Sequence, residues 1–226
     1  YRISTTKNVE DNLLGGTQDN GHFRRNSNGD FQQAMGSDGM DNYFNSSDNM
    51  IAYACTQNGG LNRSVNSGFS FQPTLLPNAG NSTSYPWITP IVQQPPNFNT
   101  GSGQWENTDV TYVYSLNGVW RGFFGADWGN IGPLGIGQAG GAYDCSLAVS
   151  SLENGNTNLY VTNGNAFWAC LDPLASIPTW LPRPSPVGPN DIISAIAVNP
   201  ANRDEVWAVV GGYTASTKVF RSTNAG

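Results

Sequence analysis

The chain has 226 residues, of which 38% are hydrophobic and 12% are charged, and its formal net charge at pH 7 is −6. The apolar fraction supports a sizeable core and excludes a disordered chain, while 10 basic against 16 acidic residues provide no cationic surface for nucleic acid. No apolar run approaches the length of about 18 residues that a membrane-spanning helix needs, so membrane insertion is not expected.

Short apolar segments bounded by Gly, Asn, Ser and Pro clusters follow one another along the chain, which indicates strands joined by tight turns. They repeat at intervals of roughly 40 to 56 residues, and a unit of this size with four strands corresponds to one β-propeller blade. The sequence therefore predicts an all-β fold, a β-propeller of four-stranded blades. The predicted blades span approximately 1–36, 37–78, 85–131, 142–184 and 191–226.

The strands expected in each blade follow in chain order. The first blade has Tyr1–Ser4, Leu13–Gly16, His22–Arg25 and Phe31–Met35. The second has Asp41–Phe44, Met50–Cys55, Leu61–Arg63 and Phe69–Leu75. The third has Trp87–Val92, Val110–Ser115, Val119–Arg121 and a short strand at Trp128. The fourth has Tyr143–Leu152, Leu159–Thr162, Ala166–Leu171 and Thr179–Leu181, and the fifth has Ile192–Val198, Val206–Val210 and Val219–Arg221.

The fifth predicted blade lacks its outer strand, which leaves about four and three-quarter blades. An open ring exposes sheet edges and inner faces, so we expect these residues to be part of a longer polypeptide and the ring to be incomplete within them.

Two polar turns of one design follow the third strands of blades two and five. The first contains Ser64, Asn66, Gly68 and Phe71, and the second contains Ser222, Asn224 and Gly226. In this pattern a short acceptor bonds backbone N–H groups across its own turn, Gly takes a positive φ, and the aromatic residue packs between sheets. We therefore expect both turns to be structural hairpins.

These hairpins resemble the Asp-box, or BNR repeat, of sialidases, sortilin-type receptors and xyloglucan-cleaving endoglucanases. Asn66 and Asn224 stand where that family usually has Asp, and Phe71 stands where it often has Trp. A shorter, degenerate copy covers Arg121–Trp128. The resemblance implies a propeller of the sortilin-like superfamily, and such propellers include both enzymes and pure binding proteins.

The stretches Gly15–Gly21 and Gly36–Asp41 resemble parts of large secreted propeller proteins of Bacteroidetes-type bacteria. Many of those proteins are exported by the type IX route and decorate the cell surface. The resemblance therefore implies an extracellular or outer-surface location.

Candidate ligand-binding residues lie in loops. Paired carboxylates would be required for glycoside hydrolysis, and the candidates are Asp19, Asp38 and Asp41 in acidic, Gly-rich turns. Turn formation is the simpler explanation for Asp19 and Asp38, whereas Asp41 is the first choice for a ligand contact. Trp105 lies in an insertion in the third blade and is a second candidate contact.

Other residues argue against particular activities. Arg63, Arg121 and Arg221 recur at one blade position and are interpreted as scaffold, and Arg24 and Arg25 as solvated strand residues, so a sialidase arginine cluster is disfavoured. The lone His22 has no partner motif for catalysis or metal binding. The three cysteines show no metal-ligand spacing and are expected to be buried. No cofactor is expected, and Ca²⁺ binding is conceivable but not indicated by any ligand loop.

Two hypotheses remain. The favoured one is a non-catalytic, secreted or cell-surface propeller that acts as a scaffold or adhesion module of a larger protein. Its partners would be another protein at the cell surface or in the secretion machinery, or an extracellular glycan. The alternative is a glycoside hydrolase of the xyloglucan-cleaving type that uses paired Asp residues.

Overall fold

The structure is a computed structural model that describes residues 2–6, 9, 12–99, 101, 104–106, 109–133, 145–150, 152–153, 156–199, 201–213 and 216–226. These residues form an all-β fold in which five antiparallel sheets of three or four strands succeed one another along the chain. No helix in this described part is long and apolar enough to cross a membrane.

Each sheet is one blade. Blade 1 contains β1 (Arg2–Thr5), β2 (Leu13–Thr17), β3 (Gly21–Arg25) and β4 (Phe31–Met35). Blade 2 contains β5 (Asn42–Phe44), β6 (Ala52–Thr56), β7 (Gly60–Ser64) and β8 (Gln72–Pro73), with a 3-10 turn at Gln57–Gly59. Blade 3 contains β9 (Ile91–Gln93) and, after an insertion that carries β10 (Asn97–Asn99) and β11 (Gln104–Glu106), the strands β12 (Val110–Ser115), β13 (Gly118–Phe123) and β14 (Ala126–Gly132).

Blades 4 and 5 complete the described fold. Blade 4 contains β15 (Cys145–Val149) and, after β16 (Leu152–Glu153), the strands β17 (Leu159–Asn163), β18 (Ala166–Cys170) and β19 (Trp180–Arg183). Blade 5 contains β20 (Ile193–Asn199), β21 (Asn202–Val210) and β22 (Val219–Ser222). The prediction of a β-propeller with a three-stranded fifth blade is confirmed, and the blades form an arc rather than a closed ring.

The antiparallel order of the strands gives every blade two rims. The turn between the second and third strands and the connection to the next blade lie on one rim, which we call the connection rim. The loop between the first and second strands and the turn between the third and fourth lie on the other, which we call the hairpin rim. The candidate acids and the two polar hairpins therefore lie on opposite rims.

Burial of the second strand reflects the position of a blade in the arc. In blades 2, 3 and 4 this strand is buried on both faces over nearly its whole length. In blades 1 and 5 it alternates between buried and more exposed residues, as expected for a strand with one covered face. The core is accordingly a series of apolar layers between successive blades.

Aromatic and cysteine residues occupy these layers as the sequence predicted. Trp128 packs against the layer between blades 2 and 3, and Trp180 packs against the layer between blades 3 and 4. The Trp180 indole N–H donates to the Ile131 carbonyl oxygen at 2.6 Å, which fastens blade 4 to blade 3. All three cysteines are buried.

Three sequence predictions need correction. The inner strand of blade 3 is limited to β9, and Trp87 lies before it in a long loop, because that segment forms turns instead of pairing. The segment expected to form a continuous strand to Leu152 is interrupted, since Leu152–Glu153 pairs in parallel with β10 of the insertion. The described residues of β10, β11 and β16 thus form an additional small sheet beside blades 3 and 4.

Arg24 is the third correction, because it is not a solvated residue. Its side chain lies at the junction of blades 1 and 2, and only 4% of the residue is exposed. Leu14, opposite Arg24 on β2, is also buried, so the strand face that carries both residues is turned towards blade 2.

Candidate functional site

The connection rim brings two of the three candidate aspartates into contact. Asp19 lies in the turn between β2 and β3 with a positive φ of 61°, and its backbone N–H donates to the Asp38 carboxylate at 2.7 Å. Asp38 belongs to the segment that connects blade 1 to blade 2, and the adjacent Gly39 N–H donates to the Thr17 carbonyl oxygen at 2.9 Å. The Asp38 side chain therefore fastens this connection onto the blade 1 turn.

Close backbone packing explains the glycines around these acids. A Cβ atom on Gly39 would lie 2.1 Å from the Gly21 carbonyl oxygen, and one on Gly21 would lie 2.0 Å from the Met35 carbonyl oxygen. Gly21 also has a φ of +78°, which L side chains rarely adopt. The Gly-rich stretches that flank the acids are therefore required by the blade 1 to blade 2 junction, whatever the acids do.

Asp41 lies at the start of the inner strand of blade 2 and contacts both neighbouring blades. Its carboxylate accepts the backbone N–H groups of Asn42 at 3.0 Å and of Ile91, in blade 3, at 3.2 Å. Arg2 of blade 1 approaches the same carboxylate at 3.8 Å. Burial raises the pKa of Asp41, while Arg2 and the two N–H groups act in the opposite direction. Asp41 thus connects the inner strands of three blades.

His22 lies behind this junction and is fully buried, with 0% exposure. Burial lowers its pKa to about 4, against the opposing effect of the Asp41 and Met40 backbone, and neither ring nitrogen has a partner at hydrogen-bond geometry among the described residues. At the same register position of blade 2 the residue is Leu61, which is buried in the apolar layer. No group of three metal-ligating side chains occurs in the described part of the chain, and His22 is not part of one.

One other sequence candidate is only partly covered by the described structure. Trp105 lies in β11, opposite Phe98 of β10, but its side chain lies outside the described residues. Trp105 therefore stays a prediction.

The hairpin rim carries the two polar turns, and they have the same hydrogen bonds. Ser64 Oγ accepts the N–H of Gly68 at 2.9 Å, and Ser222 Oγ accepts the N–H of Gly226 at 2.9 Å. Each serine also donates to the Asn two residues later, Asn66 at 2.8 Å and Asn224 at 2.7 Å.

The hairpin between β13 and β14 of blade 3 shares the backbone part of this pattern. Each turn begins with a residue of positive φ whose N–H donates to a carbonyl oxygen before or early in the second strand of its own blade. The three donor and acceptor pairs are Ser67 and Met50, Phe124 and Asp109, and Ala225 and Asp204. Phe71 packs against the apolar layer between blades 1 and 2. These contacts are those of a structural staple.

A recurring arginine forms the most regular polar feature between blades. It lies three residues after the Gly that begins the third strand, in the pairs Gly21 and Arg24, Gly60 and Arg63, and Gly118 and Arg121. Each of these arginines reaches into the following blade. The Gly-x-x-Arg spacing was present in the sequence and would have identified Arg24 as a member of this series.

Arg63 has a charged partner in blade 3. Its guanidinium donates to the Asp109 carboxylate at 2.8 Å and 3.2 Å, and Tyr53 Oη donates to the same carboxylate at 3.0 Å. Burial alone would lower the pKa of Arg63, but the hydrogen bonds and charge of Asp109 raise it. Asp109 is only 2% exposed, so this is a buried and fully partnered ion pair.

Arg24 has neutral partners instead. Its Nε donates to the Ser67 carbonyl oxygen of the blade 2 hairpin, and its Nη2 donates to the Asn12 side-chain oxygen. The guanidinium lies 4.1 Å from the centre of the Phe69 ring. Burial lowers the pKa of Arg24, and no Asp or Glu among the described residues forms an ion pair with it.

A groove of about 370 Å³ opens beside this arginine on the hairpin rim. Its walls come from blade 1 and from the hairpin of blade 2, and its lining residues are Val9, Asn12, Arg24, Asn26, Ser27, Ser67 and Phe69. Phe69 is 51% exposed there. The groove combines a buried cation, amide and hydroxyl groups and one aromatic face.

Fold and sites together define a β-propeller module whose blades are joined by acids on one rim and by arginines and hairpins on the other. No protein-family model and no curated protein matches the sequence. Among solved structures, the chain is similar to a GH74 xyloglucanase from Xanthomonas campestris, with a TM-score of 0.64 and 16% identity. It is also similar to a GH74 enzyme from Niastella koreensis, with a TM-score of 0.63 and 14% identity.

The extent of these similarities is uneven. The comparisons cover 99% and 100% of this chain but only 37% and 36% of the two GH74 enzymes. A third similar structure, YCF48 from Cyanidioschyzon merolae, has a TM-score of 0.58 and 12% identity, and 68% of its chain is covered. At these identities the likeness shows the propeller fold alone.

Proposed function

We propose that this chain is a non-catalytic β-propeller module of an extracellular or cell-surface protein, in which the blades form a scaffold that binds an extracellular glycan. The observation that carries the proposal is that two of the candidate acids, Asp38 and Asp41, accept hydrogen bonds from backbone N–H groups of the blades. Asp38 holds the blade 1 turn, and Asp41 accepts two backbone N–H groups from two blades. Side chains fixed as acceptors between blades are poorly placed to exchange protons with a substrate.

The residues that line the cavities support the same proposal. Three cavities among the described residues lie beside blade 1, between blades 4 and 5, and between blades 1 and 2, and none of these three is lined by an Asp or Glu. A glycosidase of either stereochemistry needs two carboxyl groups facing one cleft, roughly 5 to 9.5 Å apart. We therefore interpret the polar hairpins as Asp-box-like staples that maintain a binding scaffold.

The first experiment is a hydrolysis assay on soluble xyloglucan and on unbranched β-glucans, with reducing ends measured over several days. We expect no product above the protein-free blank. Asp41→Asn and Asp127→Asn are assayed in parallel, because Asp127 is an exposed aspartate in β14 of blade 3 and provides a matched control. Product formation that Asp41→Asn abolishes and Asp127→Asn preserves would establish the hydrolase alternative and refute the proposal.

A further inference from the structure

Arg24 is the only buried arginine among the described residues, and its hydrogen-bond partners are neutral. A guanidinium has five N–H donors, and the two hydrogen bonds to Ser67 and Asn12 use two of them. The three remaining donors belong to a side chain that forms one wall of an open groove. Burying a cation without a counterion is costly, so an anion that reaches these donors is stabilised.

The other groups of the groove restrict the kind of anion. A net charge of −6 repels long polyanions such as nucleic acid, so a short ligand with few charges is favoured. Asn12, Asn26 and Ser27 offer amide and hydroxyl groups suited to sugar hydroxyls, and Phe69 offers a half-exposed ring for the apolar face of a sugar. The volume of about 370 Å³ lies at the lower end of the range for ligand pockets.

We infer that the groove between blades 1 and 2 binds an acidic sugar residue of an extracellular glycan, with its carboxylate on the guanidinium of Arg24. This inference rests on the proposed function, and it assigns both a subsite and a substrate class to it. A carboxylate matches the planar fork of a guanidinium in a bidentate geometry, which a neutral sugar does not provide.

The test is a calorimetric titration of the whole 226-residue chain with a trimer of galacturonic acid, with cellotriose as the neutral probe. We expect the uronate to bind and cellotriose to bind at least about tenfold more weakly. Arg24→Gln is expected to weaken uronate binding by at least about tenfold, while Arg25→Gln, which removes the same charge one position further on, changes it less than about twofold. Successive residues of a strand point to opposite faces, so Arg25 is a matched control.

A second variant separates ligand binding from folding. Asn12→Asp keeps Arg24 in place and supplies a carboxylate where the structure has an amide oxygen. This variant should fold at least as stably as the parent and should lose uronate affinity by about tenfold or more. Uronate binding by Asn12→Asp at the parental affinity would overturn the inference.

Two further results would overturn it. Sulfate or inorganic phosphate that binds as tightly as the uronate would show a general anion site. A Glu10→Gln/Asp11→Asn variant that loses as much stability as Arg24→Gln would show that the chain supplies its own counterion. Either result leaves the absence of hydrolysis untouched, so failure of this inference and failure of the proposed function are distinguishable.

Discussion

Two blade junctions use the same arginine position in different ways. Between blades 2 and 3, Arg63 meets the Asp109 carboxylate and the pair is closed off by Tyr53. Between blades 1 and 2, Arg24 meets a backbone carbonyl oxygen and an amide, and a groove remains open beside it. The comparison shows that one repeated residue forms an ion pair where the next blade supplies a carboxylate, and is a candidate ligand group where a groove remains open beside it.

The largest expected effect on stability comes from breaking the ion pair between Arg63 and Asp109. Asp109→Ala leaves Arg63 without its counterion in a mostly buried position, and we expect a loss of about 3 kcal/mol in the free energy of unfolding. Urea denaturation measures this loss. Asp127→Asn removes an exposed negative charge instead, keeps a residue that tolerates the positive φ at this position, and should change stability by less than about 0.5 kcal/mol. Equal effects of the two variants would contradict the role assigned to Asp109.

The second largest expected effect is a loss of folding stability in acid, which comes from the junction between blades 1 and 2. His22 precedes Arg24 by two residues, and its pKa in the folded chain, about 4, lies below the usual value of 6.5. Between these two pH values the unfolded chain binds a proton that the folded chain does not. Stability is therefore fully present above pH 6.5 and falls as the pH is lowered towards 4, by about 2 kcal/mol between pH 7.5 and 5.

His22→Leu gives blade 1 the residue that blade 2 has at this position, and it should remove most of this acid sensitivity. The buried Asp41, whose pKa is raised, acts in the opposite direction at lower pH, so the readout is the difference between parent and variant. Stability curves at pH 7.5, 6 and 5 measure that difference. Parallel curves for parent and variant would contradict the assignment to His22.

Asn12→Asp should give the junction between blades 1 and 2 an ion pair like the one between blades 2 and 3. A carboxylate at this position gives Arg24 the kind of partner that Arg63 has, because it adds a charge–charge attraction that the amide oxygen of Asn12 does not provide. We expect a gain of about 1 kcal/mol in unfolding free energy, smaller at high salt. Thermal unfolding at two salt concentrations checks this expectation, and Asn117→Asp, at an exposed turn position of blade 3, is the control. A loss of stability in Asn12→Asp alone would show that the two arginine environments are not interchangeable.

The smallest expected effect is the difference in stability between serine-to-alanine variants of the two polar hairpins. Ser64→Ala removes the acceptor of a buried Gly68 N–H, which should cost about 1 kcal/mol. Ser222→Ala removes the same acceptor in a more exposed hairpin, and its cost should be about 0.5 kcal/mol because water replaces the bond. Denaturation midpoints of the two variants measure the difference. The reverse order would show that burial does not set the strength of this hairpin.

Much of the fold was predictable because it depends on local patterns. Gly and Asn turns and short apolar strands recur along the chain, hairpin serines recur in blades 2 and 5, and each of these signals acts over a few residues. The parallel pairing of Leu152–Glu153 with β10 was not predictable, since it joins segments more than 50 residues apart with no local signal. The sites were predicted less well. Asp41 was singled out as a ligand contact, which stays a prediction, and its two backbone partners depend on the arrangement of three inner strands.

Arg24 was misinterpreted for a different reason. A pair of adjacent arginines in an amphipathic strand is usually solvated, and only the Gly-x-x-Arg spacing shared with Arg63 and Arg121 indicates that Arg24 points towards the next blade. Its neighbours Ser67 and Phe69 lie more than 40 residues away, so the composition of the groove depends on the packing of blade 1 against blade 2.

Because the second strand is buried on both faces in blades 2, 3 and 4, these blades should unfold locally later than blades 1 and 5. Each blade contacts mainly its neighbours in the arc, so local unfolding is expected to proceed inwards from the end sheets, as in other linear arrays. Backbone amides of β12 should exchange with deuterium most slowly, and those of β2 and β21 should exchange earlier. A ligand that spans blades 1 and 2 would then slow exchange in β2 and shift the opening towards the opposite end of the arc.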